Sequence, residues 1–258
     1  MKPIIDKNPQ VASVVSFERF RIDVFPNWAK SQNSFLQSKI SEGLIEQAGK
    51  DYIQIDFADK FIGGYTLGPG LVQEEIRFIT APEHIVAMLI TEELDDDECL
   101  IMTGCEKFSS YSGYSKSFKF EGNYIDESSR DILGRKHIQW IAMDAQSYHR
   151  DPESQYEETN IIRDLNKSYC AFSASKTNES AIATGNWGCG IFQGNVHLKV
   201  SHYKRTFYTP YHTTYYITYY ITYYIRYCSI HDILIFVSVY HTNDVCSDGT
   251  QRFVISYF

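Results

Sequence analysis

The sequence predicts an α/β fold in which strands and helices alternate, and three observations carry that prediction. Short runs of β-branched and aromatic residues recur along the chain, segments of helical periodicity lie between them, and two glycine clusters directly follow runs of the first kind. With 258 residues, 43% of them hydrophobic and 22% charged, the chain can bury a full core, and one domain is the starting expectation.

From Phe17 to Asn33 the chain reads as an irregular lead-in, with Pro26 and Trp28 packing onto another part of the molecule. Tyr52, Ile53, Ile55 and Phe57 form a strand ending near Asp56 to Asp59, and a glycine-rich turn follows at once. Residues 73–80 and 82–93 read as two helices, because Pro82 interrupts a single helical pattern. Strands are expected at Glu98 to Thr103 and at His137 to Asp144. The Ser-, Tyr- and Gly-rich stretch 106–134 between them is a long loop or hairpin, a length that more often signals function than filler. Ile161 to Phe172 has helical spacing, with Ile162, Leu165, Tyr169 and Phe172 on one face. Ala181 to Thr184 is a further strand, ending at the second glycine cluster, GNWGCG, with Trp187 and Cys189 read as core beneath that loop.

Beyond Lys199 the chain changes character. More than half of its 20 tyrosines lie there, and residues 213–228 read TTYYITYYITYYIRYC, a four-residue repeat that alternates as a strand would. Such a β-prone stretch, without Pro and without charge until Arg226, is an aggregation hazard when its edge is open.

The formal net charge of −8 argues against a basic surface for direct nucleic-acid binding, so an anionic polymer would have to be gripped locally. Cysteines 99, 105, 170, 189, 228 and 246 form no CxxC pair and no zinc spacing, which reads as reduced thiols in an intracellular protein, with Cys99 and Cys105 acting as small buried hydrophobes. The histidines are scattered and imply no metal. Asp6, Lys7 and Pro9 interrupt what a secretory leader would need, and no run reaches membrane-spanning length.

The most informative segment is Gly63 to Glu75, GGYTLGPGLVQEE, where a glycine turn precedes two adjacent carboxylates. Glycines allow backbone N–H groups close to a diphosphate, and a carboxyl group at an apolar helix start can keep a proton long enough to donate it. The plainer reading stands beside it: glycine turns are common, and paired glutamates opening a helix complement its macrodipole.

Together with IDFADKFIGG, QEEIRF, CLIMTGCEKFSSYSGY, LNKSYCAF and ATGNWGCGIFQG, this segment resembles the poly(ADP-ribose) glycohydrolase family, in order from about Phe17 to Lys199. The resemblance implies a macrodomain-like three-layer α/β/α fold with a mixed sheet. It divides the chain into a lead-in over 1–34, a catalytic region over 35–199 and a divergent tail over 200–258. It implies hydrolysis of ribose–ribose O-glycosidic bonds in poly(ADP-ribose), with Glu75 as general acid and base and with Glu74 and Asp56 positioning ribose. Glu46 would accept from the adenine amino group, Gly63 and Gly64 would approach the diphosphate, and Gln73 and Asp59 would be further substrate-binding residues. Tyr111 and Tyr114 would cover the adenine, and Asn186 and Phe192 would line the diphosphate and distal ribose. No metal or other cofactor is implied, and nuclear and cytoplasmic residence with a part in the DNA damage response is. The substrates would be poly(ADP-ribose) and ADP-ribosylated proteins.

Three departures accompany the resemblance. Tyr65 replaces the family's third glycine and could fill the turn, Asp59 replaces an asparagine and exchanges a donor amide for a carboxylate, and the family's closing elements are missing after Lys199. Two other readings therefore stand beside the enzyme: a catalytically silent binder of ADP-ribose, and an unstable truncated product.

Overall fold

The computed structural model describes residues 13–29, 37–38, 44–48, 52–174 and 181–206, and the strands at 216–222, 232–238 and 251–257. In chain order the elements are β1 (Ser13–Arg21), β2 (Gln37–Ser38), α1 (Ile45–Ala48), β3 (Ile53–Ala58), α2 (Gln73–Thr80), α3 (Ala87–Ile90), β4 (Glu98–Thr103) and the hairpin β5 (Ser109–Ser112) and β6 (Lys119–Asn123). There follow β7 (Gln139–Asp144), α4 (Glu158–Ala174), β8 (Ala181–Thr184), α5 (Val196–Thr206), β9 (Tyr216–Thr222), β10 (Asp232–Ser238) and β11 (Gln251–Tyr257).

The main sheet runs β11-β1-β4-β7-β3-β8. Strands β7, β3 and β8 are parallel to one another, while β4, β1 and β11 are joined to them antiparallel in succession. Period-two alternation sends successive residues to opposite faces. Cys99, Ile101, Ile141 and Met143 meet α4 and α5 through Cys170, Phe172 and Tyr203. Leu100, Met102, Trp140 and Ala142 meet Phe78 of α2 and Ala87 of α3 on the other side. The result is the expected mixed-sheet α/β/α sandwich, and because β3, β7 and β8 point the same way, the loops after Ala58, Asp144 and Thr184 emerge at one end of it.

Several expectations are corrected. The lead-in is not irregular at its start: β1 is a full strand, with Val15 and Phe17 buried. Its charges concealed it, yet Arg19 and Arg21 share one face of the strand and both donate to Glu98 of the neighbouring strand. Trp28 does pack, donating to Asn166 and meeting Tyr169 edge-on. The expected helix over 82–93 is a 3-10 turn, Pro82–Val86, followed by α3, since Thr91 turns extended. Helix α4 starts earlier than its apolar spacing suggested, at Glu158, and Ile162 faces solvent while Leu165 and Phe172 are buried.

The expected boundary at Lys199 falls inside α5. Past it, β9 takes up the centre of the tyrosine repeat and pairs with β10 and β2, and β11 lies on the edge of β1. The sheet is thus extended on that side by the tail, and the remainder of the repeat lies outside the described residues.

Candidate active site

Strand β3 ends at Ala58, and from Asp59 the chain turns through Gly63 and Gly64, both with positive φ (89° and 47°), before entering α2. The turn is fastened by the two glutamates of the first turn of that helix. Glu74 accepts from the N–H of Asp59 at 3.0 Å and of Gly63 at 2.6 Å. Glu75 accepts from the N–H of Tyr65 at 3.2 Å and, as half of a capping box, of Val72 at 2.9 Å. Gln73 ties the same region to the strand by accepting from Phe57 N–H and donating to the Ile55 carbonyl.

Glycine is required here for close approach as well as for φ. A Cβ on Gly64 would sit 2.8 Å from Glu75 Oε1 and 2.9 Å from Glu74 Oε2, and one on Gly70 would sit 2.8 Å from the Glu75 carboxyl carbon. Gly70 therefore belongs to the site as much as Gly64, since both make room for the same carboxylate. The sequence did offer the signal, since the GPG of this turn lies five residues before Glu75, but only the geometry says what the missing side chain clears.

Asp56, fully buried in β3, completes the cluster. Among the described residues neither of its carboxyl oxygens meets a hydrogen-bond donor. Burial, with the charge of Glu75 adding to it, pushes the Asp56 carboxyl up to about 8 against the pull of Arg77. Burial and the neighbouring Asp56 likewise push the Glu74 carboxyl well above the ordinary carboxylate range, although the N–H groups of Asp59 and Gly63 pull the other way. At neutral pH the cluster therefore holds at least one proton, and a proton shared out among fixed, buried carboxyl groups suits general acid–base work.

Tyr65 does not fill the turn. The residue is 71% exposed, while its main chain serves the turn, the N–H donating to Glu75 and the carbonyl accepting from Gly68 and Gly70. Asp59 caps its own turn by accepting from Phe61 N–H at 2.9 Å, a role that an asparagine oxygen also serves. The amides of the turn are already engaged: Gly63 and Tyr65 donate to the glutamates and Gly64 to the Phe61 carbonyl.

Glu46, from α1, is brought beside the buried Arg77 of α2 (3.6 Å) and Lys107 (3.3 Å), and burial first, then the nearby Glu46 charge, raise the proton affinity of the Tyr111 hydroxyl of the hairpin. Arg77, which sequence reasoning passed over, stacks 4.3 Å over the ring of Trp140. Tyr111 stacks on Phe118, and beyond Tyr114 the hairpin is pinned to the turn, because Ser115 N–H donates to the Leu71 carbonyl at 2.9 Å.

In the loop after β8 both amide atoms of Asn186 are buried with no hydrogen-bond partner among the described residues, and Trp187 is wholly buried, its ring N–H donating to the Met143 carbonyl. Phe192 shares with Asp59, Lys60, Asp144, Gln146 and Tyr148 the wall of an open cleft of about 640 Å³. Glu75 is not on that wall; Asp59, whose N–H donates to Glu74, links the cleft to the carboxylates. Among the described residues no group of three or more His, Cys, Asp and Glu is arranged to hold a metal ion, and no helix is long and apolar enough to cross a membrane.

Fold and site together define a class: an α/β/α protein that gathers amide-held carboxyl groups at the carboxyl ends of its parallel strands, where open α/β sheets bind ligands. Residues 25–201 match the family model of poly(ADP-ribose) glycohydrolase (PARG), macro domain fold. The chain belongs to this family. It is 39% identical to poly(ADP-ribose) glycohydrolase 1 of Arabidopsis thaliana, over 73% of this chain and 47% of that protein. It is 33% identical to the probable poly(ADP-ribose) glycohydrolase 2 of the same plant, over 67% of this chain and 41% of that one. It is also similar to a solved structure, the glycohydrolase of Thermomonospora curvata, at 16% identity and a TM-score of 0.41, over 67% of this chain and 65% of that one. The chain spans about half, or less, of the length of these plant relatives.

Proposed function

We propose that this chain hydrolyses ribose–ribose O-glycosidic bonds in poly(ADP-ribose) and releases ADP-ribose, with Glu75 as general acid and then base. The observation that carries the reading is the fixing of the Glu75 carboxylate by the backbone N–H groups of Tyr65 and Val72, in space that Gly64 and Gly70 leave open and within electrostatic reach of Glu74 and Asp56. In the first step the bond from the anomeric carbon to the leaving ribose oxygen breaks as Glu75 gives its proton to that oxygen, through an oxocarbenium-like transition state. Water then attacks the anomeric carbon and returns a proton to Glu75. Glu74 and Asp56 hold the ribose hydroxyls and supply the negative surroundings a positive sugar carbon needs. The unpartnered amide of Asn186 supports a ligand contact, because a buried polar group without a partner is costly unless something binds it. Residence in nucleus and cytoplasm, with a role in DNA repair signalling, is part of the same proposal and is read out by imaging the tagged chain.

The test compares release of ADP-ribose from purified polymer by this chain and by Glu75→Gln. The variant is expected to lose about 10²–10⁴-fold in rate while keeping its melting temperature. A second reading, a silent ADP-ribose binder, is favoured by one observation: Glu75 is only 6% exposed and both its oxygens are occupied by amides. Equally low release from both proteins, with ADP-ribose binding still visible by calorimetry, selects that reading.

A further inference from the structure

We propose that Tyr65 is a specificity residue that stacks on the adenine of the leaving unit, so that this chain grips polymer more firmly than ADP-ribose itself. The inference rests on the polymer reading of the site. Tyr65 stands where a glycine stands in the family resemblance, and its main chain and side chain do different things. The N–H holds the Glu75 carboxylate. The residue is nonetheless 71% exposed, a large aromatic side chain at the surface.

The two are nevertheless close. Tyr65 Cβ and the Glu75 carboxyl carbon lie 2.7 Å and 2.8 Å from a single point, the place where a side chain on Gly70 would begin. Cδ1 of the ring lies 3.6 Å from the corresponding point on Gly68, so two missing side chains leave room beside the ring. Phe61, the other exposed aromatic of the turn, already has the Lys60 ammonium 5.3 Å over its ring. Tyr65 is thus the aromatic surface on this turn that is both exposed and immediately beyond the carboxylate.

That position matches the chemistry of the substrate. The oxygen that leaves belongs to the adenosine ribose of the neighbouring unit, so an adenine follows one sugar beyond the acid. An exposed aromatic ring beside the acid meets that base, and stacking of a base on an aromatic ring needs no sequence and no hydrogen-bond partner. ADP-ribose lacks the leaving unit and gains nothing from Tyr65.

The experiment measures binding of long poly(ADP-ribose) and of ADP-ribose to the Glu75→Gln chain, in which polymer persists, with Tyr65 intact and as Tyr65→Ala and Tyr65→Phe. The alanine variant is expected to weaken polymer binding about tenfold while ADP-ribose affinity moves by less than about twofold. Phenylalanine retains the ring and restores polymer binding. Equal weakening for both ligands would mean that Tyr65 only shapes the turn, and an unchanged ratio would mean that no base rests on it; either result overturns the proposal, as does a parent chain that binds no polymer. Should the wild-type chain release no ADP-ribose yet show the expected ratio, the hydrolase reading fails and the stacking assignment stands.

Discussion

Two groups of buried acids lie on adjacent strands at the same end of the sheet, and the molecule treats them in opposite ways. Asp144, at the end of β7, takes Lys167 at 2.6 Å and Arg163, while Asp164 on α4 takes Lys199 and the Tyr148 hydroxyl. Asp56, Glu74 and Glu75, built on β3 and α2, meet no such cation at hydrogen-bonding distance among the described residues and rely on backbone N–H groups or on a retained proton. The first arrangement neutralises charge and ties α4 and α5 to the sheet. Its Lys199 also lies 4.3 Å over Trp187, under the loop that carries Asn186. The second leaves proton affinity unspent, which costs stability and makes acid–base chemistry available. Burial of an acid thus says little about function until its partners are named.

Substitutions that move one group toward the other's condition test this contrast. Lys167→Met removes a wholly buried cation, leaves Asp144 to Arg163 alone and strips the Asp95 and Glu98 carbonyls of their donor, so a loss of about 3–5 kcal/mol, or roughly 10 °C in melting temperature, is expected by scanning calorimetry. A change within a degree or two would show the paired group to be no more structural than the other.

Asp56→Asn should act through pH. A carboxyl group raised to about 8 in the folded chain, from about 4 unfolded, binds its proton more tightly when folded, so its contribution is fully present below pH 4 and is lost as pH rises toward 8. The wild-type protein is expected to lose about 1 kcal/mol for each pH unit across that window, and the asparagine variant to show a shallower slope in urea titrations. Parallel slopes would place the proton elsewhere.

The smallest effect on stability is expected for Gly64→Ala. A positive φ costs alanine about 1 kcal/mol, and its methyl group would press on both glutamate carboxylates. Melting should fall by roughly 2–4 °C, while ADP-ribose release falls far more steeply than folding does. If the two decline together, the turn holds up the fold rather than the acid.

Much of this architecture was legible in the sequence because it depends on local pattern. The break at Pro82, the β-branched runs at Ile53, Cys99 and Ile182 and the Gln-Glu-Glu segment gave the elements around the site almost residue for residue. Strand β1 was hidden because Arg19 and Arg21 look like surface charge until their carboxylate, Glu98, arrives from nearly eighty residues away. For the same reason Glu46 could be named from resemblance, but Arg77 and Lys107, which hold it, could not. The direction of the Tyr65 side chain and the assignment of turn amides to Glu74 and Glu75 follow from backbone torsions that residue types permit without dictating.

The double attachment of Glu74 has a consequence for how any ligand is received. One carboxylate clasps the end of a sheet strand and the start of a loop at once, so the loop cannot swing outward unless both clasps are released. An arriving ligand meets a mould already set and loses little affinity to ordering it.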